Sequence, residues 1–193
     1  MRMDANGDVR AGMCRKRWRW ANWFRGKWRR KKWRRRDFTL HRYGILLCSL
    51  RASGYALMPV AEFLQGECIR AVALRHDVDR HITRSVRMAL LEFTLGVRAT
   101  YFFRKRDIIH SPHHIRFIAS LGHEIAYHYE NLSACHGAMT PAWHDFQRTA
   151  SLLRAIAPCN GIAMHGAPLS PHHNLSLWRS HDYFPLGFGY EAY

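Results

Sequence analysis

Beyond residue 37 the chain alternates between two hydrophobic rhythms. Leu40, Tyr43, Leu47 and Leu50 recur every three to four positions, the period of a helix with one buried face, and Gly54 follows as a stop. Ala71-Val72-Ala73-Leu74 is a continuous apolar run too short for a helix, which predicts a strand buried on both faces. Residues 84–95 return to the helical period through Val86, Leu90 and Phe93, with Gly96 where a left-handed terminating residue belongs. Ala99-Thr100-Tyr101-Phe102-Phe103 predicts a second strand. Ser111-Pro112 then reads as an N-cap with proline at the first helical position, opening a helix through Ile115, Ile118 and Leu121 to Gly122. A third strand is predicted over residues 123–128. Thr140-Pro141 repeats the cap-plus-proline signal before a helix through Phe146, Ala150, Leu153 and Ile156, and a fourth strand follows over residues 161–165. Strands alternating with helices imply an α/β domain of parallel βαβ units.

In parallel α/β folds functional groups gather where strands end, because the loops there face a common crevice. Asp77 and Asp79 close the first strand, His128 and Glu130 the third, and His165 the fourth, so these polar ends are expected on one rim. If the chain stays extended, Asp77 and Asp79 point to the same side with Val78 turned away. One carboxylate can then bind a metal while the other handles a proton. The structural alternative has one aspartate capping the next helix and the other paired with Arg75 or Arg80. Two acids after a buried apolar strand are costly unless something cationic compensates them, which favours the metal reading. His128 and Glu130 share the same two-residue spacing, whereas His123 should point to the opposite face. Imidazole with carboxylate suits a divalent first-row metal, zinc or a similar ion.

Charge divides the 193-residue chain. Residues 1–36 hold 15 of its 30 Lys/Arg against two Asp, with five of its seven Trp, while all 14 His lie later. The formal charge of +16 therefore belongs mainly to a basic Trp/Arg-rich tail, expected to be disordered and to contact polyanions or an anionic membrane. Residues 37–193 form the expected domain. Five scattered cysteines without a CxxC pair suggest reduced thiols. With no apolar run of about 20 residues and no leader pattern, a cytoplasmic location is expected.

Four segments, in this order and spacing, resemble the polysaccharide deacetylase (NodB homology) family: Arg75-His76-Asp77-Val78-Asp79, Ala99-Thr100-Tyr101-Phe102-Phe103-Arg104, Gly122-His123-Glu124-Ile125-Ala126-Tyr127-His128 and Met164-His165-Gly166-Ala167-Pro168-Leu169-Ser170. The resemblance implies a distorted parallel (β/α) barrel and a zinc-like cation. It also implies hydrolysis of an N- or O-acetyl group on a carbohydrate, with Asp77 as general base and Asp79 and His128 as metal ligands. The family's second histidine, four residues after the first, is Leu132 here, so Glu130 or His165 is expected to complete the ligand set. The chain also stops before the late motif that usually supplies a histidine acid. We therefore expect an incomplete barrel, with His165 as the candidate proton donor. The alternatives are a catalytically incomplete sugar-binding or interaction protein and a polyanion binder acting through its tail. Asn174, Trp178 and the aromatic residues at 183–193 fit a sugar subsite or a core wall equally, and no substrate-binding residue is assigned.

Overall fold

Extended and helical segments follow one another much as the hydrophobic pattern predicts. The computed structural model describes residues 39–66 and 68–193; the basic tail at residues 1–36, with the partners expected of it, lies outside them. The elements are α1 (Leu40–Ala52), β1 (Ala56–Met58), α2 (Val60–Leu64), β2 (Ala71–Ala73), β3 (Arg75–Val78), α3 (Ile82–Thr94), β4 (Thr100–Phe103), α4 (Lys105–His110), α5 (Pro112–Ser120), β5 (Glu124–Tyr129), α6 (Asn131–Ala134), α7 (Met139–Arg154), β6 (Cys159–Met164) and β7 (Tyr190–Glu191), with two 3-10 turns before the last strand. Among the described residues no helix is long and apolar enough to cross a membrane.

All strand pairs are parallel. β1 and β2 form a two-stranded sheet, and β3 to β7 form a five-stranded one in strict chain order. Leu74 joins the two: its N–H donates to the Met58 carbonyl, and its own carbonyl accepts from Thr100 N–H. The single strand expected at residues 71–74 is thus longer, pairing first with β1 and then with β4.

Side chains alternate across the five-stranded sheet as strand geometry requires. Val78, Tyr101, Phe103, Ile125, Tyr127, Tyr129, Ile162 and Met164 enter the main core, which is packed by helices. The other face carries Phe102, Ala126 and Ala163, covered by Val60 and Tyr190. Its polar members pair with one another. Glu124 accepts hydrogen bonds from Thr100 Oγ1 (2.5 Å) and Tyr190 Oη (2.6 Å), and Thr100 Oγ1 accepts from Val60 N–H at the start of α2. Tyr190 can lie this close only because its register partner is Gly161. A Cβ built at Gly161 would stand 2.2 Å from the Tyr190 ring. Gly161→Ala is therefore expected to destabilise the domain by about 1–3 kcal/mol through overpacking, read as a lower urea midpoint at unchanged slope. An unchanged midpoint would show that this face is not closely packed.

Three local expectations are corrected. α3 turns Ile82, Ala89 and Glu92 inward and leaves Leu90 and Phe93 exposed, because Glu92 finds polar partners inside and Ala89 packs into the main core. α7 begins at Met139 with Ala138 at its cap, so Thr140 lies in the first turn rather than capping it. Ser111 does occupy the cap of α5, but its side chain makes no capping bond.

Candidate metal centre

β3, β5 and β6 each deliver one polar side chain to the same point beyond their carboxyl ends. Asp79 follows β3 directly, and a sharp turn through His81, in the left-handed region at φ 58°, then starts α3. His128 is the penultimate residue of β5 and His165 the first residue after β6. His165 N–H continues the ladder by donating to the Tyr129 carbonyl at 2.8 Å. The Asp79 carboxylate, His128 and His165 each offer one ligand atom, all within 4.8 Å of one another. Asp79 Oδ1 lies 3.5 Å from His128 Nε2 and 3.4 Å from His165 Nε2.

These separations suit a cation. Ligand atoms about 2.0–2.2 Å from a tetrahedral zinc stand about 3.3–3.6 Å apart. His128 Nδ1 lies 3.0 Å from the Ala163 carbonyl and must carry the proton to donate to it, so the Nε2 lone pair faces the cluster. Burial holds the His128 imidazole below its ordinary pKa against the opposing pull of Asp77. A neutral ring presenting its lone pair to a carboxylate oxygen needs something positive between them. One carboxylate and two imidazoles make three donors among the described residues, one fewer than a closed tetrahedral structural site uses.

Asp77 stands beside this group without joining it, its Oδ2 3.9 Å from His128 Nε2. Both its oxygens are held by Arg75, at 2.8 Å from Nε and 3.0 Å from Nη2. Arg75 is fixed in turn over the Phe102 ring, 4.7 Å from its centroid, and donates to the Ala192 carbonyl beyond β7. The pairing with Arg75 foreseen as the structural alternative for one aspartate therefore exists, while the other aspartate faces the two histidines. Arg106 donates to the Asp79 carbonyl, tying α4 to the same turn.

Glu130 takes another course. β5 ends at Tyr129, and Glu130 caps α6 with ψ 21°, so the extended alternation that would have placed it beside His128 has stopped. Its carboxylate is gripped by Arg104, with 3.0 Å from Nε to Oε1 and a second bond from Nη2 to Oε2. It lies outside the three-donor group and approaches only the far nitrogen of His165, Nδ1, at 3.6 Å. Leu132 packs into the core, and His123 faces away as expected, accepting from Ala99 N–H and approaching the Ala89 carbonyl.

A cleft of about 330 Å³ opens from His165 along the loop that follows β6. His172, His173, Asn174 and Tyr193 line it. Asn174 ties that loop down by donating to the His165 carbonyl and accepting from Ser133 N–H. Trp178 belongs to the core, where its indole donates to Tyr129 Oη at 2.7 Å. Neither the loop nor its lining could be placed from local sequence, because the segment has no regular period. Comparison of the chain with protein-family models, with curated proteins and with solved structures found no match.

Proposed function

We propose that the domain is a metal-dependent hydrolase that removes acetyl groups from a carbohydrate. The observation that carries this reading is the three-donor group Asp79, His128 and His165 with a further carboxylate, Asp77, beside it and not part of it. A zinc-like cation held by the three would supply Lewis acidity to a carbonyl oxygen and to water. Asp77 takes the proton of the attacking water, whose oxygen bonds to the acyl carbon as the bond from that carbon to the sugar nitrogen or oxygen breaks. The sugar nitrogen or oxygen takes up the proton that Asp77 removed from the water, and acetate and the deacylated sugar leave. Arg75 holds the base in one orientation throughout. We assign His165 to the metal through Nε2 rather than to protonation of the leaving group. Ser170, His172, His173 and Tyr193 also line the cleft.

The same reading includes a barrel. The strictly sequential parallel strands, with Ala126, Ala163 and Gly161 on the face away from the main core, support an arc of a distorted (β/α) barrel. A second reading, sugar binding without turnover, is favoured by one contact, the grip of Arg75 on both oxygens of the proposed base.

Zinc content and acetate release together test the proposal. Wild-type protein dialysed against zinc should retain one ion per chain and release acetate from N-acetylated oligosaccharides, and both properties should disappear in Asp79→Ala and His128→Ala. Zinc retained without acetate release would select the binding reading. A wild-type protein that holds no zinc would sink the metal centre itself.

A further inference from the structure

Arg104, Glu130 and His165 follow β4, β5 and β6 respectively, three neighbouring strand ends, and form a line across the rim to the metal donors. His165 Nδ1 is buried and has no hydrogen-bond partner among the described residues. Glu130 Oε2 lies 3.6 Å from it, longer than a hydrogen bond but within a small rotation of the ring. Glu130 cannot move far to serve as a ligand, because Arg104 holds both its oxygens. Nε2 of the same ring faces Asp79. His128 already has its far nitrogen anchored, on the Ala163 carbonyl; His165 lacks only the equivalent anchor.

We infer that Glu130, held by Arg104, is the positioning residue of the centre: it takes the Nδ1 proton of His165 in a hydrogen bond and thereby turns the Nε2 lone pair to the cation. This rests on the metal reading of Asp79, His128 and His165. A carboxylate behind a ligating histidine fixes the tautomer and ring angle and raises ligand basicity, and its loss costs about 10–100-fold in metal affinity. Arg104 orients the carboxylate and leaves Oε2 a lone pair for the ring. The geometry thus assigns Glu130 to the histidine and not to the metal.

Zinc affinity, measured by competition with a chromophoric chelator, and the His165 tautomer, read from long-range proton–nitrogen spectra of the zinc-free protein, test this together. Glu130→Ala should still bind one zinc, about 10–100-fold more weakly. Glu130→Gln, whose amide oxygen can accept the same proton, should lie nearer wild type. The ring should be Nδ1-protonated in wild type and lose that preference in Glu130→Ala. Zinc affinity and tautomer both unchanged in Glu130→Ala would overturn the assignment, and so would loss of stoichiometric zinc in both variants, since that is the behaviour of a direct ligand. A wild-type protein that binds no zinc would instead remove the metal reading, and the tautomer spectra would then decide the Glu130 pairing alone.

Discussion

Asp77→Asn should lower acetate release from N-acetylated oligosaccharides by about a hundred- to ten-thousandfold, the contribution of a positioned base. Zinc content should stay at the wild-type level. The substitution suits the question because asparagine keeps the shape of aspartate and one oxygen able to accept from Arg75, yet cannot take a proton from water. Asp77 is not among the three donor residues, so the cation should remain. Asp79→Asn is the control with the opposite signature, losing metal as well as turnover. Arg75→Ala separates orientation from basicity: the carboxylate is retained but loses both guanidinium bonds. An Asp77→Asn protein as active as wild type would exclude Asp77 as the base, and parallel loss of zinc would make it a ligand instead.

The second large effect is on stability. Glu92→Ala should cost about 3–5 kcal/mol in urea unfolding, the range for breaking one side of a buried ionic pair. Glu92 has no exposure, yet its carboxylate accepts from Tyr43 Oη at 2.5 Å and Tyr101 Oη at 2.6 Å and meets His76 Nε2 at 2.6 Å. These partners come from α1, β4 and β3, so one acid on α3 ties four elements. Its removal leaves the fully buried Tyr101 hydroxyl without its acceptor, and the partly buried Tyr43 and His76 with only each other at 3.2 Å. Burial pushes the Glu92 pKa up, but the His76 hydrogen bond and charge, with the two tyrosines, outweigh it and hold the group below its usual 4.5. A carboxyl group with a depressed folded pKa adds stability above its unfolded value, lost as pH falls through the lower folded value. Wild type should therefore lose stability on acidification below about pH 4.5, and Glu92→Gln should flatten that dependence. A stability loss under 1 kcal/mol in Glu92→Ala would mean the network contributes little.

Glu92 also shows where reading the chain fails. Hydrophobic period selects a face by its apolar members, and on α3 that criterion chose Leu90 and Phe93 over an acid whose partners lie as far away as Tyr43. Strand alternation was more dependable. It put Asp77 and Asp79 together, turned Val78 into the core and sent His123 to the opposite face, because backbone pleat alone determines those directions. It gave the wrong companion for His128 at Glu130, one residue past the end of β5, where extended geometry no longer holds. Period carries nothing about a side chain held by a distant guanidinium, and so the grip of Arg104 on Glu130 went unassigned. The short elements β1, α2, α4, α6 and β7 were missed for a related reason: segments of two to six residues span too little chain for either rhythm to repeat.

The sequential order of β3 to β7 has a kinetic consequence. Each strand pairs with its immediate successor, so the sheet can grow by local accretion with little loop entropy lost at each step. The donors are not local: Asp79, His128 and His165 are separated along that growing edge, and the last arrives only when β6 has docked. A cation that needs all three recognises only states in which β6 has docked, so its binding energy adds to those states and to none before them. Zinc should then act as a latch, slowing the escape of β6 while leaving the rate at which the earlier strands assemble untouched.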